Sequence, residues 1–164
     1  IYPALASGAI DAAEWVGPWH DLAFGFYKIT KHLYFPGFHE PGTTGSFAMN
    51  KKLWDSLNKD EQLMIQVVID AEAHIQFAEF NARNLGSLKV LLDKHGVQLH
   101  EYPRDMLIKI GEVAGDVVAE IGNTDAMTKR VYDSFIAYRT QAITWAKIGE
   151  QAFMNARSLP FDYS

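Results

Sequence analysis

Two carboxylates and a tryptophan lie close together in the segment GAIDAAEWVGP near the start of the chain. Asp11 and Glu14 stand among small and apolar residues, and Trp15 follows directly, two residues before the helix-breaking pair Gly17-Pro18. Carboxylates and backbone carbonyl groups freed by such a break are the ligands that hard cations such as calcium prefer. The indole adds an apolar wall with one N–H donor, which suits a small organic anion. The residue types leave a second interpretation open, in which Glu14 is a surface carboxylate and Trp15 a core side chain.

Together with Asp21 and Glu40, these two carboxylates form an oxygen-rich set that could bind a hard cation. The sequence gives no support to most other kinds of site. The chain has no cysteine, which excludes disulfides and thiolate ligands. None of the histidines forms the His-Glu-x-x-His pattern of a zinc protease, and no Gly-x-Ser-x-Gly elbow is present. The remaining enzyme hypothesis uses Glu14 and Glu40 as an acid/base pair on a small carbonyl compound. A net charge of −5 without a Lys/Arg run argues against nucleic acid as a partner.

Short elements are predicted around these residues. Their bounds are predicted from the positions of glycine and proline, from helix propensity and from β-favouring side chains. The predictions are a helical turn over 2–7, a strand or extended crossover over 9–15, a short helix over 18–24, and strands over 33–35 and 45–50.

Long helices are predicted for the rest of the chain. Apolar residues recur at spacings of three and four from Met64 to Leu92, after a capping-box signal at Asn58 and Glu61, and the pattern stops at Gly96. Such a helix would be roughly 50 Å long. A strand over 97–102, a helix opened by Pro103 and a last helix over 124–156 are predicted to follow. Helices of this length brace two lobes or pair with another chain, so a helical dimerisation domain without ligand binding, with 64–92 as its interface, is an alternative function.

A resemblance to a known family is carried by the stretch ALASGAIDAAEWVGPWHDLAFGFYKITKHLYFPGFHEPG. Its pattern G-x-I-D-A-x-E-W-V-G-P, followed by P-G-x-H-E-P-G, resembles the solute-binding proteins of TRAP (tripartite ATP-independent periplasmic) transporters. The similarity is to the subgroup that binds 2-oxo acids and related hydroxy acids. NKKLWDSL at 50–57 and the spacing of Trp, Phe and Ala-Arg over 145–157 are similar to the same family, so the resemblance covers essentially the whole chain.

The resemblance implies a helix-rich α/β chain that is part of a two-lobed periplasmic-binding-protein fold with long lobe-spanning helices. Residues 1–164 would then be a carboxy-terminal fragment, in which no signal peptide is expected. Residues 1–50 would form the inter-lobe crossover, pocket loops and strands, and residues 51–164 the long helices with one short strand. The amino-terminal half of the same protein, with an arginine that clamps the substrate carboxylate, would lie upstream of Ile1.

The resemblance also implies a function and a set of site residues. The function is periplasmic capture of a small monocarboxylate (pyruvate or a lactate-like hydroxy acid) with a sodium or calcium ion, for delivery to TRAP membrane permease subunits, without enzymatic turnover. Glu14 corresponds to a metal-binding glutamate, and Trp15 to the residue that supplies a backbone carbonyl to the ion and its ring to the pocket. Glu40 corresponds to a carboxylate near both metal and ligand, and His39 and Phe38 are expected to line the pocket.

Two further expectations follow from the resemblance. Asp11 is expected to be a hinge-strand or capping residue and not a ligand. The last helix, with Phe135, Trp145 and Phe153, is the candidate for exchange between two protomers in a homodimer. The alternative is that this helix packs on its own lobe.

Overall fold

The computed structural model describes residues 1–38 and 45–162. Its described elements, in chain order, are α1 (Tyr2–Ser7), α2 (Pro18–Phe24), a single 3-10 turn (Phe26–Lys28), β1 (His32–Phe35), α3 (Lys51–Ser56), α4 (Lys59–His95), β2 (Gln98–Glu101), α5 (Arg104–Gly122), α6 (Ala126–Ile148) and α7 (Glu150–Arg157). The chain divides into two compact units, Ile1–Pro103 and Arg104–Ser164.

The long helix α4 is the main element of the first unit. The Asn58 side chain accepts hydrogen bonds from the backbone N–H groups of Asp60 and Glu61, and the Glu61 carboxylate accepts one from the Asn58 N–H. This is the capping box that the sequence predicts. The helix ends at Gly96, whose φ of 65° lies in the left-handed region that glycine adopts without strain. Its 37 residues span about 55 Å.

A two-stranded parallel sheet pairs the strand before α4 with the strand after it. β1 pairs with β2 in a register that runs from His32 opposite Gln98 to Phe35 opposite Glu101. Parallel strands need a long crossover connection, and here the connection contains α4.

The second unit contains the helical pair α5 and α6, followed by α7. The Asp125 carboxylate caps α6 by accepting from the N–H groups of Thr128 and Met127, and these bonds hold the pKa of Asp125 below its usual value. The ring of Tyr132 lies against Gly122, where an added Cβ would come within 2.5 Å of the Tyr132 Cγ. Glycine at this position therefore permits the close approach of α5 and α6.

Several predicted elements are confirmed, and the strand over 45–50 and the unbroken helix over 124–156 need correction. The helices over 2–7 and 18–24, the strand at 33–35, and the long helix ending at Gly96 are confirmed. Residues 45–50 form no strand, and residues 9–15 take the irregular form and not the strand. Because a strand needs a partner for its backbone groups, neither β-favouring residues nor bounding glycines create one by themselves. The helix predicted over 124–156 is broken at Gly149, whose φ of −97° and ψ of −116° are not helical.

Very little of the described chain is buried. Its buried apolar residues are Phe26, Leu91 and Val97, and the accessible surface is 13383 Å². A compact monomer of this mass would expose about 8,200 Å², and two separate compact units of these lengths about 9,800 Å². Large exposed apolar side chains include Phe77 at 74% and Leu85 at 75% on α4. Apolar surface of this extent is typical of a contact surface for further polypeptide. No helix within residues 1–38 and 45–162 is long and apolar enough to cross a membrane.

Candidate functional site

The candidate site lies where the irregular segment 9–17 meets the start of α2. This segment forms no helix or strand, so its backbone carbonyl groups stand outside any regular ladder. Gly17 has a φ of 156° and a ψ of 177°, a conformation that side chains rarely permit, and Pro18 then opens α2 with a φ already suited to a helix. The break that the sequence predicts after Trp15 is therefore present.

Trp15 is half-buried in an aromatic cluster formed with α2 and with the 3-10 turn (Phe26–Lys28) that follows α2. Its ring meets Phe24 edge-to-face at 5.3 Å and Phe26 at 6.0 Å, and Phe26 in turn stacks on Tyr2 at 5.9 Å. The indole Nε1 is buried and has no hydrogen-bond partner among the described residues. A buried unpaired N–H is costly, so this donor is suited to an oxygen atom supplied by a ligand or by further polypeptide.

Glu14 and Asp21 place two negative charges beside this cluster. Glu14 is exposed, whereas Asp21 is half-buried on α2. Burial and, secondarily, the charge of Glu14 raise the pKa of Asp21 from 3.8 to about 6. A cation bound beside these carboxylates would reduce their mutual repulsion. Asp21 belongs to the oxygen-rich set found in the sequence, but the family resemblance assigns it no role.

The start of α2 is held against α4 by a polar and aromatic contact. The backbone N–H of Trp19 donates to Asn84 Oδ1 at 3.0 Å, and the Arg83 guanidinium lies 4.8 Å from the centre of the Trp19 ring. Phe80 meets the Trp19 ring edge-to-face at 5.3 Å and stacks on the His20 ring at 4.8 Å. Sequence reasoning missed these α4 residues. Their spacing puts them on one helix face, but nothing local indicates which element they contact.

The structure brings only some of the predicted site residues together. Glu14 and Trp15 are adjacent in the candidate site, whereas Phe38 packs edge-to-face on Tyr102 at 5.9 Å, next to the sheet and outside the Trp15 cluster. His39 and Glu40 lie outside the described residues. Asp11 is exposed within the irregular segment, where the predicted strand does not form. Within the described ranges, no three His, Cys, Asp or Glu side chains are grouped so as to hold a metal ion by themselves.

Comparison with known proteins identifies relatives along nearly the whole chain. Residues 1–125 match the family of bacterial extracellular solute-binding proteins, family 7 (DctP). The chain is 33% identical over 158 residues to a monocarboxylate 2-oxoacid-binding periplasmic protein of Nostoc sp. strain PCC 7120, a match that covers 96% of this chain and 43% of the relative. The chain thus spans less than half the length of this curated relative.

Two solved structures are similar to the chain. A TRAP transporter solute-binding protein from Bordetella bronchiseptica RB50 is 26% identical with a TM-score of 0.85, over 95% of this chain and 46% of that one. That protein is a mixed-occupancy dimer with copurified calcium and picolinate in one active site, the other being apo. A TRAP periplasmic solute-binding protein from Pseudoalteromonas atlantica T6c, with bound sodium and pyruvate, is 31% identical with a TM-score of 0.85, over 94% and 47% of the two chains.

Proposed function

Because this chain belongs to the bacterial extracellular solute-binding proteins of family 7, we propose that it takes part in periplasmic capture of a small monocarboxylate together with a metal cation. The ligand class is a 2-oxo acid such as pyruvate, or a lactate-like hydroxy acid, and the bound ligand is delivered to TRAP-type permease subunits. The Nostoc relative is a 2-oxoacid-binding protein, and the two similar structures hold pyruvate with sodium and picolinate with calcium. The observation that carries the proposal is the buried indole N–H of Trp15, which has no partner among the described residues and lies next in sequence to the exposed carboxylate of Glu14.

The proposed roles of the site residues follow from their donor atoms. Glu14 supplies a carboxylate and Trp15 a backbone carbonyl to the cation, and Glu40 supplies a second carboxylate. The Trp15 ring, Phe38 and His39 line the ligand pocket. A bound cation contributes positive charge that offsets the carboxylates of both protein and ligand.

Completion of the site requires polypeptide beyond these residues. We place the remaining cation ligands and an arginine that pairs with the ligand carboxylate in an amino-terminal half of the same protein. Residues 1–164 are then its carboxy-terminal part, with 1–50 as crossover and pocket segments and 51–164 as the long helices. The small buried core and the extensive exposed apolar surface support this arrangement.

Substitution of Glu14 tests the cation site. In the full-length protein, stripped of metal and titrated with pyruvate in the presence of calcium or sodium, Glu14→Gln should weaken cation-dependent binding by at least about tenfold, since a carboxylate on a cation contributes a charge that the amide lacks. Glu72→Gln is the control, because Glu72 is an exposed glutamate on α4. Unchanged calcium and sodium dependence in Glu14→Gln would contradict the assigned role.

An enzymatic role for Glu14 and Glu40 can be distinguished from ligand capture by testing for turnover. Capture and release require no bond to be made or broken, whereas an acid/base pair requires turnover. Proton NMR of pyruvate incubated with the full-length protein should show unchanged ligand. Conversion to a product, or exchange of its methyl protons faster than in buffer alone, would favour the enzymatic role.

Homodimer formation through the carboxy-terminal helices is a second candidate function. Tyr138 on α6 is 74% exposed, Trp145 is 68% exposed, and Phe153 on α7 is 63% exposed. Aromatic side chains presented in this way are typical of an interface. Sedimentation velocity of the full-length protein should show a dimer that Trp145→Glu converts to a monomer, while Lys147→Glu leaves it a dimer. A monomeric wild-type protein would exclude this function.

A further inference from the structure

We propose that Asn84, in the middle of α4, is a positioning residue for the Glu14–Trp15 segment. The proposal rests on the function proposed above for that segment. Asn84 would not touch the ligand or the cation. Its role is to hold the turn that follows Trp15, through a hydrogen bond to the backbone and through direct contact with Gly17.

The first step concerns the open amino terminus of α2. The first backbone N–H groups of a helix have no partner within the helix, and a side chain at the preceding residue commonly caps them. Here the preceding residue is Gly17, which has no side chain, and Pro18 has no N–H. The next amide, that of Trp19, donates to Asn84 Oδ1 at 3.0 Å across a separation of 65 residues. Asn84 thus provides the cap that the local sequence lacks.

The second step concerns the contact between Asn84 and Gly17. A Cβ added at Gly17 would lie 3.3 Å from Asn84 Oδ1 and 3.6 Å from Nδ2. The Asn84 amide therefore packs directly against the backbone at Gly17 as well as bonding to Trp19. The two contacted residues, Gly17 and Trp19, lie on either side of Pro18, so Asn84 holds the turn at both positions.

The third step links the turn to the proposed ligand atoms. Only Val16 separates Trp15 from Gly17. One residue spans at most about 3.6 Å, so a displacement of Gly17 is passed on to the Trp15 carbonyl and to Glu14. Phe80 and Arg83 hold the ring of Trp19, whereas Asn84 bonds to the backbone itself. Loss of the Asn84 amide would therefore loosen the turn while the aromatic packing of α2 remains.

Binding measurements on the full-length protein test this role. Pyruvate is titrated with calcium present, and separately with sodium, into wild type, Asn84→Ala, Asn84→Asp and Asn81→Ala. Asn81 is the matched control, since it is an asparagine one turn earlier on α4 whose side-chain amide donates to the Phe77 carbonyl of its own helix. We expect about tenfold weaker binding for Asn84→Ala, recovery to within about threefold for Asn84→Asp, which retains the acceptor oxygen, and no change for Asn81→Ala.

Hydrogen exchange of the backbone amides of residues 14–19 provides a readout that needs no ligand. Exchange should be at least about fivefold faster in Asn84→Ala than in wild type and unchanged in Asn81→Ala. Should Asn84→Ala not fold, Asn84→Ser, whose hydroxyl is too short to reach the Trp19 amide, replaces it in both measurements.

The outcomes separate this proposal from the proposed function. Wild-type binding and exchange in Asn84→Ala would overturn the positioning role, and so would equal losses of binding in Asn84→Ala and Asn84→Asp. If the wild-type protein does not bind pyruvate in the presence of either calcium or sodium, the proposed function fails. The exchange measurement then decides alone: faster exchange over residues 14–19 supports the positioning role, and equal exchange overturns it.

Discussion

Burial and a neighbouring charge both act on the carboxylate of Asp21 in the candidate site. Asp21 is half-buried, and the neighbouring charge of Glu14 adds to the effect of burial in raising its pKa to about 6. The repulsion between these carboxylates is a cost that a bound cation would reduce. The family resemblance predicts Glu14 and Trp15 as site residues, whereas their types alone also fit a surface carboxylate and a core side chain; only the break at Gly17 is visible in the local sequence itself. The burial of Asp21 is not visible there, since it depends on how α2 packs.

Substitution of Asp21 should alter how stability depends on pH. The pKa of Asp21 in the folded protein is raised above its value of 3.8 in the unfolded chain, so its stabilising contribution is complete below about pH 4 and is lost as the pH rises through about 6. In metal-free full-length protein, Asp21→Asn should remove this loss. The difference in free energy of unfolding between Asp21→Asn and wild type should therefore favour the variant by about 1 kcal/mol more at pH 7 than at pH 4, a value reduced for partial solvent exposure. Urea unfolding at several pH values measures the difference.

Asp11→Asn is the control for this measurement, because Asp11 is exposed in the same segment. Parallel stability curves for wild type and Asp21→Asn between pH 4 and pH 7 would contradict the raised pKa.

The elements differ in how far local sequence specifies them. The boundaries of α4 depend on Asn58, Glu61 and Gly96, each of which acts on backbone groups within a few residues, and these boundaries were predicted correctly. The strand predicted at 45–50 was wrong because pairing depends on a distant partner. The break at Gly149 was missed because a single glycine is tolerated in many helices, so its presence alone did not reveal the break.

A close helix contact in the second unit should be sensitive to one methyl group. Gly122→Ala would place its Cβ 2.5 Å from the Tyr132 Cγ, so α5 and α6 would have to move apart. We expect a loss of about 1–3 kcal/mol in the free energy of unfolding. Gly115→Ala, in the same helix but with nothing within 4 Å of the added Cβ, should be neutral or more stable by up to about 1 kcal/mol. Equal stabilities of the two variants, measured by chemical denaturation, would show that the contact is not tight.

At the scale of the whole molecule, the fold class is confirmed. The chain is a helix-rich α/β structure similar to TRAP solute-binding proteins, with a TM-score of 0.85 to both structures compared. It covers 46% and 47% of those chains. Its buried core is correspondingly small, and apolar side chains along α4 remain exposed.

A polypeptide of residues 1–164 alone should be a poor binder. We expect pyruvate, with calcium or sodium present, to bind it at least about 100-fold more weakly than it binds the full-length protein, because the proposed function places several ligand contacts in an amino-terminal half. Isothermal titration calorimetry provides the comparison. Binding of equal strength by the 164-residue polypeptide would show that the site is complete within these residues.

The sequence by itself determined the features that act over short distances. These are the glycine and proline that break the chain after Trp15, the capping box of α4, the helical periodicity and the motifs that indicate the family. Tertiary structure alone decided the parallel pairing of β1 with β2, the burial of Asp21 and the hydrogen bond from the Trp19 amide to Asn84. The physical reason is that these features join groups far apart in the chain, such as the 65 residues between Trp19 and Asn84. Burial and hydrogen bonding between such groups depend on packing, which no local spacing of residue types specifies.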